Sequence, residues 1–221
     1  MTSTSPPRLQ FFFDFVSPYS YLASTQLDAL AARRGIEITW EPALLGAIMK
    51  ATGNTPPAAL PARAQYLMGD LARWAVLYDV PFSFSPYFPP NSMAALRGAL
   101  HLRATNPAAF AIYNRLMFRA TWGEGKDPSS RDVIGAIAKA AGADADAVIA
   151  ANDDATVKAM LKAQTERAVA EGAFGMPYFV LESEGVREKY FGNDRLELIE
   201  RRLARAQPWP NAPDVGPITF P

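Results

Sequence analysis

The sequence predicts an α/β domain interrupted by a large all-helical insertion. An apolar run from Leu9 to Phe15, broken by Gln10 and Asp14, feeds into a helical pattern and then into the alternating segment Ile36-Glu37-Ile38-Thr39-Trp40-Glu41. That order is strand, helix, strand, the parallel βαβ unit. Residues 43–172 then carry almost only helical spacing. Strand signals return at Gly175 to Leu181 and Val186 to Phe191, and one last helix follows. The expected organisation is a split α/β domain, residues 1–42 and 173–221, around an inserted helical domain, residues 43–172.

Residues 8–15 are expected as the first strand. A helix from about Pro18 to Arg34 follows, with Ser17 as its cap, Pro18 in its first turn and Gly35 just past its end. Gly46, Gly53, Pro56, Pro57 and Pro61 break the next stretch, leaving room for a short helix over Leu44 to Ala51. From Ala62 to Tyr78, the residues Leu67, Leu71, Trp74 and Tyr78 share a helical face. Four prolines between Pro81 and Pro90 exclude a helix there, and Phe82, Phe84, Tyr87 and Phe88 make that loop a packed layer or a pocket wall. Asn91 is expected to cap a helix with Met93, Leu96 and Leu100, and Pro107 to open another with Phe110, Tyr113 and Met117. Trp122-Gly123-Glu124-Gly125 reads as a turn. Asp127-Pro128 opens a helix through Val133 and Ile137 that stops at Gly142. Asp144 starts a short helix to about Ala151, and Asp153 or Asp154 caps a long one to Glu171. These apolar stripes read as helix core. Pro177 cannot donate in a strand ladder and belongs at an edge or a first position. Asn193 and Asp194 fall in the first turn of the last helix, where polar residues ordinarily cap. The proline-rich tail, Gln207 to Pro221, is expected to wrap the surface.

Composition narrows the chemistry. Among 221 residues, 22 basic and 22 acidic side chains balance, so no basic field favours nucleic acid. No apolar run is long enough to span a membrane, and the first residues lack the pattern of a signal peptide, so the expected location is the cytoplasm. There is no cysteine, which excludes a thiol nucleophile, a disulfide framework and a CxxC redox pair in this chain. The single histidine, His101, sits in a helical pattern beside Arg97 and Arg103 and reads as a surface or packing residue; no metal site is expected. The chemistry must use a hydroxyl, carboxylates or a group supplied by a ligand. Ser17 is the foremost candidate. As an N-cap it lies at the positive end of a helix, near backbone donors, where an anion is favoured.

The segment Phe13-Asp14-Phe15-Val16-Ser17-Pro18-Tyr19-Ser20-Tyr21 resembles the DsbA-like glutathione transferases of the kappa class, a group that includes the bacterial 2-hydroxychromene-2-carboxylate isomerases. The resemblance continues, in family order, through Leu45 to Lys50, Gly53-Asn54-Thr55-Pro56-Pro57, Gln65-Tyr66, Gly175-Met176-Pro177-Tyr178-Phe179-Val180 and Phe191-Gly192-Asn193-Asp194-Arg195-Leu196. It implies a thioredoxin fold with a helical insertion, glutathione as cofactor, an aromatic carboxylate as substrate and a homodimer. It also implies roles for residues. Ser17 would hold the glutathione sulfur. Met176, before a cis Pro177, would pair its backbone with the cysteinyl part. Asn193 and Asp194 would hold the γ-glutamyl end, and Asn54 would contact glutathione from the insertion. Lys50 and Tyr87 would face the aromatic acid. Arg63 stands where a lysine is expected and Tyr178 where a smaller residue is common.

A chain without cysteine can borrow glutathione's thiol. A free thiol has a pKa of about 8.5, and the thiolate is the nucleophile. A hydrogen bond from Ser17 and the helix end both favour the anion, and a lowering of about two units asks for about 2.7 kcal/mol. Such a thiolate can add to a conjugated double bond, allow rotation and leave again. That is cis–trans isomerisation between 2-hydroxychromene-2-carboxylate and its open benzylidenepyruvate form. An irreversible acceptor at the same site would give a transferase. A non-catalytic thioredoxin-like binding module is the third reading.

Overall fold

The computed structural model describes residues 6–205 and 208–210. Four strands form one sheet: β1 (Arg8–Phe13), β2 (Glu37–Pro42), β3 (Tyr178–Ser183) and β4 (Val186–Phe191), in the spatial order β2-β1-β3-β4. β1 pairs parallel with β2 and antiparallel with β3, and β3 pairs antiparallel with β4. The expected βαβ and ββα halves therefore meet along β1 and β3, with the helices of the insertion between them in sequence.

β1 is buried on both faces, and its alternation divides the core in two. Leu9, Phe11 and Phe13 point into a large cluster with Trp40, Phe118 and Phe179. Phe12 points to the other face, beside Ile48, Ala168, Met176 and Val180. On the first face the Phe11 and Phe13 rings stack at 5.3 Å, and Trp40 meets each edge-on at 5.1 and 5.5 Å. Such pairs add about 0.5–1.5 kcal/mol each beyond area burial. Because Phe118 and Met117 of the insertion join this cluster, the two parts of the chain share one apolar core.

The helices are α1 (Pro18–Ser24), α2 (Leu27–Arg34), α3 (Leu45–Thr52), α4 (Pro61–Leu77), α5 (Met93–Thr105), α6 (Pro107–Phe118), α7 (Arg131–Ala140), α8 (Ala145–Ala150), α9 (Ala155–Ala170) and α10 (Leu196–Leu203). Several caps are those the sequence suggested: Ser17 for α1, Asp144 for α8 and Asp154 for α9 each accept backbone N–H groups, and Gly35 closes α2 at φ 62°.

The structure corrects five local expectations. The single helix over 18–34 is two, broken at Thr25-Gln26, where the Thr25 hydroxyl donates back to the Leu22 carbonyl at 2.7 Å. Trp122 and Gly123 belong to a π-helical turn, Arg119–Gly123, not to an open turn. Asn91 is one residue short of capping α5; its side chain accepts the Met93 N–H at 3.1 Å while Ser92 holds the cap position. α7 starts at Arg131 behind the cap Ser130, not at Asp127-Pro128. Asn193 and Asp194 lie in a 3-10 turn, Asn193–Arg195, ahead of α10, and neither turn nor helix has a side-chain cap there. The proline-rich tail lies outside the described residues except for 208–210, where the Trp209 N–H meets Glu188 Oε1 at 3.3 Å. Among the described residues no helix is long and apolar enough to cross a membrane.

Candidate active site

β1 ends at Phe13, and the next four residues carry the chain over the edge of the sheet into α1. Four hydrogen bonds set this turn. The Ser17 N–H donates to the Asp14 carbonyl at 3.0 Å. The Asp14 carboxylate accepts the Val16 N–H at 3.1 Å and, from across the fold, the Leu45 N–H at 2.8 Å. The Trp122 indole donates to the Phe15 carbonyl at 2.7 Å. Asp14 is fully buried, and burial pushes its carboxyl up to about 6 against the downward pull of the Ser92 hydroxyl and the Leu45, Val16 and Phe15 amides.

Ser17 is almost wholly buried, and its hydroxyl does two things. It accepts the Ser20 N–H at 3.1 Å, the cap of α1, and it donates to the Met176 carbonyl at 3.1 Å. The second bond spans 159 residues and joins the first β–α turn to the segment leading into β3. The Met176–Pro177 peptide is cis. Pro177 stands just ahead of β3, so its missing N–H costs the ladder nothing, and its carbonyl accepts the Gly192 N–H at 3.0 Å. Gly192 adopts φ 104°, a conformation L side chains rarely take, and so delivers Asn193 and Asp194 to the same place.

These segments border a cleft of about 470 Å³ whose lining includes Met176, Pro177, Asn193 and Asp194. Asn193 is buried, and its amide Nδ2 makes no well-formed hydrogen bond, with the Tyr78 hydroxyl its polar neighbour. Asp194 is half-exposed and pairs with Arg195. The opposite wall is the face of α4 that carries Tyr66, Asp70 and Trp74. The Tyr19 hydroxyl donates to Asp70 at 2.6 Å; burial first, then Asp70, holds that phenol well above its ordinary pKa.

The structure thus brings Met176, Pro177, Asn193 and Asp194 into one cleft lining; Ser17 is not among the lining residues and joins the site through its bond to the Met176 carbonyl. Asn54 follows the C-terminal Gly53 of α3, and its Nδ2 donates to the Phe174 carbonyl at 2.8 Å, two residues before Met176. It ties the insertion to the cis-proline segment from outside the cleft lining. Lys50 is exposed on the last turn of α3, and Tyr87 is 54% exposed in the proline-rich loop; neither lines the cleft. Sequence reasoning missed Tyr19, Asp70 and Arg195. The i, i+4, i+8 spacing of Tyr66, Asp70 and Trp74 marks one helical stripe, but the neighbouring buried stripe of Leu67, Leu71 and Ala75 dominates the pattern.

The cleft's donor set suits a zwitterionic amino-acid end. An ammonium needs a carboxylate, supplied by Asp194; a carboxylate needs donors, supplied by the unpartnered Asn193 amide and by Arg195. A ligand sulfur near Met176 would meet the Ser17 hydroxyl, whose one proton is now shared with a neutral carbonyl. Hydrogen bonds to charged acceptors contribute about 1.5–3 kcal/mol against about 1 for neutral pairs, so an anion outcompetes that carbonyl. The α1 dipole adds less than the sequence suggested, because α1 has 7 residues.

A DSBA-like thioredoxin domain model matches residues 8–204. The chain is 31% identical over 213 residues to glutathione S-transferase kappa 1 of Caenorhabditis elegans, covering 93% of this chain and 94% of that one. It is 34% identical over 201 residues to the 2-hydroxychromene-2-carboxylate isomerase of Sphingobium xenophagum, covering 88% and 97%. Among solved structures, a 2-hydroxychromene-2-carboxylate isomerase superposes with a TM-score of 0.79 at 30% identity, covering 89% of this chain and 94% of that chain. With a split thioredoxin fold, a serine in place of any thiol and these relatives along nearly its whole length, the chain belongs to the DsbA-like thioredoxin-domain family, within the group of glutathione-dependent kappa-class transferases and 2-hydroxychromene-2-carboxylate isomerases.

Proposed function

We propose that this protein is a glutathione-dependent isomerase that interconverts 2-hydroxychromene-2-carboxylate and trans-o-hydroxybenzylidenepyruvate. The observation that carries the reading is the Ser17 hydroxyl bonded to the carbonyl of Met176, a residue that lines the cleft together with Asn193 and Asp194. Glutathione, when bound, supplies a thiolate able to add reversibly to a conjugated double bond. Ser17 donates a hydrogen bond that keeps that sulfur ionised; among the described residues its hydroxyl bonds only to the Met176 carbonyl and the Ser20 N–H, neither of them a base that would make it a covalent nucleophile. The Met176 backbone orients the cysteinyl part. Asn193, Asp194 and Arg195 hold the γ-glutamyl end, and Asn54 fixes the approach of the insertion to the cis-proline segment. Lys50 remains the candidate cation for the substrate carboxylate and Tyr87 a candidate aromatic wall; both lie outside the cleft lining, so their roles require the substrate to extend beyond it. We also propose a homodimer.

Two measurements test the reading. Retention on immobilised glutathione separates an enzyme of this kind from a pure interaction module, which would flow through. Spectroscopic assay of the isomerisation beside formation of a stable glutathione adduct then separates isomerase from kappa-class transferase. Turnover of chloronitroaromatic acceptors without isomerisation would favour the transferase.

A further inference from the structure

A second cavity lies away from the active-site cleft and shares none of its lining residues. It is a groove of about 420 Å³ between α3 and α5, floored by α9. That volume lies within the range of small-molecule sites. Its floor is apolar: Leu44, Ala47 and Ala51 from the α3 side, Met93 from α5, Leu161 and Val169 from α9. The one hydroxyl in the floor is already satisfied, since Thr165 Oγ1 donates to the Leu161 carbonyl at 2.7 Å and accepts the Leu44 N–H at 3.1 Å.

The groove is polarised along its length. Lys158 and Lys162 stand one turn apart on α9, at the end away from Val169, and Arg97 of α5 lines the same groove. Glu166 is the single carboxylate in the lining and pairs with Lys162. Lys158 reaches a carboxylate only at 4.0 Å, on the exposed Asp153. Arg97 makes no ion pair among the described residues: one guanidinium nitrogen binds the Asn152 carbonyl and amide oxygens at 3.0 Å, and its buried Nε has no partner. An unneutralised guanidinium beside two lysines is matched by an anion. An apolar floor is matched by an apolar body.

We propose that this groove binds an amphipathic organic acid: one carboxylate against Arg97, Lys158 and Lys162, and an apolar body on Ala47, Ala51 and Val169. The shared chemistry fits both a flat bicyclic acid and a medium-chain aliphatic acid.

Calorimetric titration with 2-naphthoate, decanoate and the uncharged 2-naphthylmethanol tests it on the intact chain. Expected are saturable binding of at least one acid and binding of the alcohol weaker than that of naphthoate by roughly tenfold or more. The acid that binds more tightly identifies the body as flat or as a chain. The double variant Lys158→Gln/Lys162→Gln, which changes only exposed side chains, should weaken the acids roughly tenfold and leave the alcohol unchanged. Ala51→Leu, at an exposed helical position, fills the floor and should weaken all three. Acid binding that both variants retain would place it elsewhere and overturn the proposal, as would no binding to the wild type. A change in sedimentation of the groove variants without loss of acid binding would assign the groove to a second copy of the chain instead.

Discussion

At the scale of single residues, Ser17 carries more than a cap. Replacing a capping serine by alanine costs about 1 kcal/mol, but here the Met176 carbonyl also loses its donor. Ser17→Ala should therefore stay folded, lose about 1–3 kcal/mol of stability in denaturant titration, and turn over at least ~10-fold more slowly, about 1.4 kcal/mol. The thiol pKa of bound glutathione, followed by thiolate absorbance, should rise; an unmoved pKa would remove Ser17 from thiolate stabilisation. Asp194→Asn keeps the size of the side chain and removes its charge. Because Arg195 already competes for this carboxylate, only a cation held closely would depend on it. Calorimetry should show roughly 10-fold weaker glutathione binding with near-wild-type stability. Asp14 makes a different prediction. Its carboxyl ordinarily titrates near 3.8 and is raised to about 6 in the fold. The folded state thus holds the proton more tightly, so the stability it contributes is complete below about pH 3.8 and is lost as pH rises through about 6. Two units correspond to about 3 kcal/mol. Asp14→Asn should flatten the slope of unfolding free energy over that interval; an unchanged slope would assign the dependence to other groups. The sequence shows Asp14 only as a polar break in an apolar run. Its partners Leu45 and Ser92 lie 31 and 78 positions away, a distance no local pattern spans.

At the scale of elements, what was legible followed the hydrogen-bonding residues at helix ends and what was not followed tertiary contact. Ser17, Asp144 and Asp154 each satisfy neighbours two or three positions on, so local sequence marks them. The break between α1 and α2 has no glycine or proline to mark it; the five-residue step from Leu22 to Leu27, against three from Leu27 to Leu30, is its local trace. Trp122 lies in a Gly-flanked segment, yet it is fully buried, stacked 6.0 Å from Phe82 and bonded to the Phe15 carbonyl in the turn before Ser17. Packing of helix on helix gives a sharp prediction at Gly98. A Cβ there would stand 2.9 Å from both the Tyr113 hydroxyl of α6 and a Val148 methyl of α8. Tyr113 is fully buried and cannot swing away. Gly98→Ala should cost about 1–3 kcal/mol despite alanine's better helix propensity, read as a lower denaturation midpoint. An unchanged midpoint would mean that α5, α6 and α8 can separate at little cost.

At the scale of the whole molecule, period was the legible quantity. Twofold alternation in Ile36 to Glu41 and the apolar run through Phe13 identified strands, while three- and four-residue spacing identified the insertion. The cleft was legible only through resemblance, because its walls come from β1–α1, α4 and the segment around Met176. α4 leaves Met68, Val76 and Leu77 exposed, Val76 at 83%, and in the proposed homodimer this helix is the candidate interface. Sedimentation at micromolar concentration should show a dimer, and Val76→Asp should shift it to monomer; a wild-type monomer would refute the assembly. The sheet order β2-β1-β3-β4 also sets a timetable for a chain made from its first residue onward. β1 and β2 leave the ribosome early, but the partner for the other edge of β1 comes only with Tyr178. At about 5–20 residues per second, that edge waits on the order of ten seconds or more. Through that interval a run of phenylalanines presents open backbone groups to any passing strand. The newborn chain is thus most at risk of aggregation before its insertion is finished, and a chaperone that shields residues 9–15 would serve it best in that interval.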